Sequence, residues 1–451
     1  MLERDDIQGL VFSGYARRPH ARYFFLRFPE AGAAAWLSRV IPRVTSADRQ
    51  ERTASRSLNL AFTASGLGRL WLPESALATF PPEFLQGMAA PERVRALGDA
   101  GASAPAGWEF GATDAGRVDA VVLSYATTEA ELDDESETLE QGFEQHGIEA
   151  WEEDTYLPAD RRGHFGFLDA RSNPRLFMKL RRRERDPLAP RVPLGEFVLG
   201  YRNAYGHRAP SPTGPLRTST RALPPVVDAL RAMDLGRNGT FVALRKLEQD
   251  VAGFWRFVRS RAEELFPEAG AHGPPHLAAC LVGRTLDGAR TPNCPVGAHV
   301  SRANPRDALG DDPKQSLATV RKHRLIRRGR LYGPKLALDG LTDAPPEALL
   351  DAPPDAEPRG LLFLGLCADL ARQYEFLHEA WLDNPKFGGL TRERDPLVGS
   401  ALAPGDAGPD TFSLQGEPFR RTFALERFVR VRGGAYLFMP GLRALSYLAE
   451  G

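Results

Sequence analysis

The sequence predicts an α+β fold in which one unit is used twice: strand–helix–strand, then strand–helix–strand, around an antiparallel sheet of ferredoxin-like order. Three observations predict it. Aromatic and branched apolar runs of strand length recur in both halves. Stretches with helical spacing of apolar residues separate them. A Pro/Ser/Thr-rich connector, 210–225, lies between the halves.

The first half opens with the run 22–28, a buried strand rich in aromatics, followed by a helix over 31–40. A second strand covers 58–62, and Thr63 is placed to cap the helix that begins at Ala64. Residues 73–107 read as loop-rich. The third strand, 119–126, leads into a long acidic helix from Thr128 to about His146, opened by Thr-x-x-Glu capping chemistry. Its charges read as a solvated face. The fourth strand is 148–156, and 196–201 reads as a further strand.

The second half restarts with a strand over 239–247 and an amphipathic helix over 250–265, with Phe254, Trp255 and Phe257 toward a core. A long loop-rich excursion covers 339–359. A core strand over 360–369 ends in the carboxylate of Asp369, and a helix over 370–381 is stopped by Asn384-Pro385. The run 427–440 reads as a hairpin, with Gly433-Gly434 as its turn or bulge.

Composition bounds function. The 451 residues suggest two or three domain-sized units. The 58 basic and 58 acidic residues balance, so no global field favours nucleic acid or an anionic membrane. The basic run 179–185 has neither the clustering nor the aromatics of a nucleic-acid surface. Cys280, Cys294 and Cys367 are odd in number and far apart, which argues against a disulfide framework or structural zinc and fits a reducing compartment. No apolar run is long enough to span a bilayer, and the acidic first residues carry no signal core, so the expected location is the cytoplasm.

Chemistry gathers in 293–334. His299 stands between a proline-started apolar approach and a basic exit containing Arg324, Arg327, Arg328 and Tyr332-Gly333-Pro334. Imidazole is a common transition-metal ligand and one of the few groups that hold haem iron. A lone histidine in a turn is usually just a polar surface or capping residue, and spacing alone does not single out His299. Upstream, Gly163 to Pro174 is a glycine-rich apolar loop presenting Asp169, a carboxylate suited to proton transfer if desolvated and otherwise an ordinary turn residue. No His-Glu-x-x-His, phosphate-binding glycine loop or nucleophile elbow competes.

Ala298-His299-Val300, Asn304-Pro305-Arg306, and Arg327-x-Gly329-x-x-Tyr332-Gly333-Pro334 resemble the haem-binding segment of the DyP-type (dye-decolourising) peroxidases. Gly166-Phe167-Leu168-Asp169 resembles the family's Gly-x-x-Asp-Gly signature, with Ala170 where the family has glycine and Arg171 beside it. Asn203-Ala204-Tyr205-Gly206 and Asn384-Pro385-Lys386-Phe387-Gly388-Gly389 extend the resemblance over nearly the whole chain. It implies two ferredoxin-like domains of the dimeric α+β barrel type: 1–215 carrying the distal Asp169 loop, and 216–451 carrying the proximal histidine and distal arginine. It implies one haem b per chain, with His299 as iron ligand and Asp169 and Arg327 as the distal pair. Arg306 is expected to meet a propionate, and Leu361 and Phe363 to line the pocket or fill the core. Asp369 is expected either to accept the other ring proton of His299 or to cap a helix. Tyr332 and Trp381 are candidate electron relays or plain core. The activity implied is reduction of hydrogen peroxide with oxidation of bulky aromatic or phenolic donors. The alternative is a haem-binding protein of weak turnover, for which Ala170 is the motivating departure. Neither nucleic acid nor membrane is an expected partner; a homo-oligomer and loading into a shell compartment are left open by the sequence.

Overall fold

The computed structural model describes residues 2–48, 54–168, 173–177, 191–216, 223–226, 232–291, 293–336, 346–351, 356–400, 410–415 and 420–450. Nine strands form one sheet: β1 (His20–Arg27), β2 (Arg56–Phe62), β3 (Ala120–Ala126), β4 (Glu149–Tyr156), β5 (Thr240–Gln249), β6 (Ile326–Arg327), β7 (Arg330–Tyr332), β8 (Gly360–Cys367) and β9 (Val429–Met439). Within the first half the order is β4-β1-β3-β2, all antiparallel. Within the second it is β9-β5-β8, with β6 and β7 side by side along the far edge of β8. The two sets meet edge to edge through Phe62 opposite Phe438 and Tyr156 opposite Leu331, so the strands close into a barrel and the edges disappear.

Strand periodicity sorts the side chains. Val242, Leu244, Leu362, Leu364 and Leu366 point into the barrel with Tyr23, Phe25, Val121 and Leu123. The alternate residues of β1 and β2, among them Phe24, Leu26 and Leu60, face outward under α1 (Ala33–Val40) and α2 (Glu129–Gln145), which contribute Trp36, Leu37, Leu139 and Phe143. The capping expectations hold: Thr63 accepts from Gly66 N–H and Thr128 from Glu131 N–H. In the second half Asp250 caps α3 (Val251–Leu265) by accepting from Gly253 N–H. Helix α4 (Gly273–Val282) packs against it through Leu277 and Leu281.

Four readings are corrected. Residues 73–107 contain the short helices Glu74–Leu77, Pro82–Gln86 and Pro91–Leu97, two of them with proline in the first turn, where its missing N–H costs nothing. Residues 196–201 are not a strand: Leu194–Glu196 is a 3₁₀ turn, and Glu196 turns inward to Arg372. The run 427–440 is not a hairpin but the single strand β9, bulged between Val431 and Gly433. The glycine is there for close approach, because a Cβ on Gly433 would lie 2.6 Å from the Phe110 ring. The helix expected over 370–381 is wound with π geometry in Leu370–Glu375 and Leu377–Leu382. Among the described residues no helix is long and apolar enough to cross a membrane.

Candidate active site

A cavity of about 330 Å³ lies on the outer face of the second-half strands. Its floor is made by outward residues: Arg245, Leu247 and Gln249 of β5, Leu361 and Phe363 of β8, and Val429 and Val431 of β9. Its other walls come from Phe165, Phe167 and Leu168 of the first half, from the π-wound segments, and from His299 and Val300 of α5 (His299–Ala303). Leu361 and Phe363 reach it because their neighbours Leu362 and Leu364 point into the barrel.

Arg327 reaches the cavity from β6. Between β6 and β7 the chain bulges at Arg328-Gly329, where Arg328 N–H still donates to Leu364 C=O. A Cβ on Gly329 would lie 2.6 Å from Leu362 O, so only glycine fits. Asn173 pins the strand from the first half: its side chain accepts from Arg327 N–H (2.9 Å) and donates to Arg327 C=O (3.0 Å). Arg324 also lines the cavity and donates to Asn304 Oδ1 at 3.0 Å. Burial, then the charges of Arg327 and Arg306, push its guanidinium down to about 10. Positive charge is therefore concentrated at this end. Arg306 contributes through its charge, is held at φ +57°, and is not part of the wall.

Four histidines line the cavity: His164, His299, His323 and His378. His164 Nε2 is on Tyr332 C=O at 3.0 Å, and burial lowers its pKa to about 4. His323 Nδ1 is on Arg372 C=O at 2.6 Å, with its ring stacked on Phe376. Burial, then the Arg245 charge, lowers His378 to about 3. Only His299 sits on a carboxylate: its Nδ1 lies 3.0 and 3.1 Å from the two oxygens of Asp395, which is fully buried. Burial raises the Asp395 carboxyl, but the His299 ring and the N–H groups of Val398 and Leu397 outweigh it and leave it below the usual range. An ionised Asp395 accepts a hydrogen bond from Nδ1–H and leaves the Nε2 lone pair for a ligand.

Asp369 is not that carboxylate. It is the N-cap of Leu370–Glu375, accepting from Arg372 N–H at 2.9 Å, and it does not line the cavity. The reason is geometric: β8 ends at Cys367, and the turn into the next helix takes Asp369 to the helix start. Asp169, Ala170 and Arg171 lie outside the described residues. Tyr332 is buried with Lys246 4.7 Å over its ring, and Trp381 is buried against His323 and Phe376.

The chain matches no family model. It is 26% identical to dye-decolorizing peroxidase msp1 of Mycetinis scorodonius over 490 residues, covering 98% of this chain and 87% of that protein. It is 28% identical to multifunctional dye peroxidase DyP2 of Amycolatopsis sp. over 324 residues, covering 63% of this chain and 60% of that one. The solved DyP-type peroxidase of Auricularia auricula-judae superposes with TM-score 0.76 at 21% identity, over 100% of this chain and 99% of that chain. Its relatives in sequence and its neighbours in structure are dye-decolorizing, DyP-type peroxidases, and both comparisons support that family. The Anabaena DyP-type peroxidase has the same fold, with TM-score 0.74 and 22% identity over 99% of this chain and 94% of that one. DyP-type peroxidases are haem enzymes, and the residues present fit that group. Among the described residues no cluster of three or more His, Cys, Asp or Glu could hold a bare ion. An imidazole whose tautomer is set by a buried carboxylate, facing an apolar cavity, suits iron whose other ligands come from a macrocycle.

Asp383, behind the π-wound segment, offers a stability test. Burial raises its carboxyl to about 6, although it accepts from Ser400 N–H and Oγ–H. A carboxyl raised in the fold contributes stability that is present below its unfolded pKa and lost as pH rises through about 6. Asp383→Asn, which cannot ionise, should therefore raise the unfolding free energy at pH 8 by on the order of 1–3 kcal/mol, with a higher Tm, and do much less at pH 4. Calorimetry at both pH values checks this; an equal change at each would show that ionisation is not the cause.

Proposed function

We propose that the cavity holds one haem b with His299 as its axial protein ligand, and that the chain reduces hydrogen peroxide while oxidising bulky aromatic or phenolic donors. The observation that carries this reading is the His299–Asp395 pair opening onto a cavity that also contains Arg327. When bound, the haem supplies an iron that passes electrons from donor to peroxide.

The chain's own residues do the rest. Asp395 accepts a hydrogen bond from His299 Nδ1–H and fixes the ring's tautomer and direction. Leu361, Phe363 and Phe165 keep the site apolar, which strengthens every charge interaction within it. Arg327 stabilises negative charge on a peroxide oxygen. Asp169, by resemblance, accepts the peroxide proton. Arg306 and Arg324 hold carboxylate charge at the basic end, where haem propionates are matched. The balance is one peroxide, two electrons and two protons to two waters, the electrons coming from the donor.

A dye-decolorizing peroxidase of this fold is known in complex with 2,6-dimethoxyphenol, so that phenol is the donor to use. Purified protein loaded with haem should show a histidine-ligated ferric spectrum and oxidise 2,6-dimethoxyphenol only when peroxide is added. A haem spectrum without turnover would favour a binding or sensing role; no haem uptake would remove the reading. The distal carboxylate is tested separately. Asp169→Asn should retain haem and lose most of the peroxide reaction, and full activity would leave Arg327 without a carboxylate partner in the mechanism.

A further inference from the structure

Arg302 is fully buried, yet among the described residues no carboxylate accepts a hydrogen bond from its guanidinium. Burying a guanidinium costs several kcal/mol unless its donors are satisfied. Here they are satisfied by backbone alone. Nε donates to Gly297 C=O (3.2 Å). Nη1 donates to Trp381 C=O (2.7 Å), Asn384 C=O (3.0 Å) and, more weakly, Leu382 C=O (3.4 Å). Nη2 donates to Glu393 C=O (2.6 Å). The cation lies 5.2 Å from the Phe387 ring centre.

The acceptors are not scattered. Glu393 is two residues before Asp395 in the chain, and Leu382 C=O also receives Asp395 N–H at 2.8 Å. Gly297 is two residues before His299, and Arg302 itself is one helical turn after it on α5. One guanidinium thus ties the start of the histidine helix, the end of the π-wound segment and the loop that delivers Asp395. An apolar side chain of similar volume would fill the space but leave these carbonyls without their shared donor, so the guanidinium holds the three segments in one arrangement.

We propose that Arg302 is a positioning residue for the axial ligand: it makes His299 and Asp395 one rigid unit, so that the carboxylate stays on Nδ1 and the imidazole remains strongly electron-donating. The inference rests on His299 as haem ligand. Lysine keeps the charge and loses the planar fork, so Arg302→Lys separates geometry from charge.

The test uses the haem-loaded full chain, read by the iron–histidine stretching frequency of the ferrous form and by the ferric/ferrous midpoint potential. A looser His299–Asp395 bond weakens imidazole donation and disfavours the ferric form. Arg302→Lys should lower the stretching frequency and reduce the ferric/ferrous ratio at fixed potential about tenfold, a positive shift of about 59 mV for one electron. Asp395→Asn should shift both in the same direction. In the Asp395→Asn background, Arg302→Lys should add less than a twofold change, because Arg302 acts through Asp395. Wild-type values for Arg302→Lys, or equal shifts in both backgrounds, would overturn the proposal. If Arg302→Lys does not fold, Phe387→Leu, which removes the ring beneath the cation and leaves its donors, should give a smaller shift of the same sign that also vanishes with Asp395→Asn; no shift overturns it. Failure of the underlying reading is distinct: His299→Gln would then keep the wild-type iron–histidine band, and the proposal would fall with it.

Discussion

His299→Gln should leave a folded chain that has lost its histidine-ligated haem spectrum. Glutamine can still donate one hydrogen bond to Asp395, so the buried carboxylate keeps a partner and the fold is spared. His299→Ala removes that donor as well, and an unpaired buried acceptor costs on the order of 1–3 kcal/mol. The alanine variant should therefore lose both the spectrum and measurable thermal stability, while the glutamine variant loses chiefly the spectrum. Absorbance after haem titration, paired with Tm of the haem-free chain, separates the two effects. A glutamine variant with wild-type haem content and spectrum would move the axial role to another cavity histidine. His164 and His323, each with one ring nitrogen on a backbone carbonyl and the other left for a ligand, are the next to replace.

Arg327→Leu should slow the reaction with hydrogen peroxide by on the order of a hundredfold or more, the usual loss when one donor to a developing oxyanion is removed. Haem should stay bound, because His299 and the apolar walls are untouched. Stopped-flow mixing of the haem-loaded protein with peroxide measures the rate directly. Arg324→Leu is the informative companion. Arg324 shares the same basic end and donates to Asn304, so its loss should weaken haem retention more than rate. If Arg327→Leu reacts as fast as wild type and Arg324→Leu does not, the two roles are exchanged.

The parts of this site that were legible in the sequence are those carried by short contiguous patterns. His299 and Arg327 lie in one stretch, and the period-two alternation of β8 puts Leu361 and Phe363 on one face whatever the rest of the chain does. Asn173 lies in the loop Gly163 to Pro174, but its role is not readable there. An amide that bridges the N–H and C=O of a residue 154 positions away has no local signature. Arg302 reads as one more polar residue of a short helix, and nothing in its neighbours announces a ring of carbonyls from 79 to 91 residues downstream.

The sequence by itself determined the strand and helix units, their caps, and the residue types offered to a haem, because propensity, alternation and capping act over a few residues. Tertiary structure alone decided which carboxylate meets His299. Asp369 follows an apolar strand and Asp395 ends the charged run Arg392-Glu393-Arg394, and only the path of the chain chooses between them. The turn after β8 spends Asp369 on the N–H groups of the next helix. The loop after the π-wound segment brings Asp395 back to Nδ1 from 96 residues away. It also decided that Gly433-Gly434 continues a strand instead of turning it, because the Phe110 ring that occupies the missing Cβ belongs to a distant part of the first half. Local patterns specify what each residue offers; closure of the barrel specifies what it is offered to.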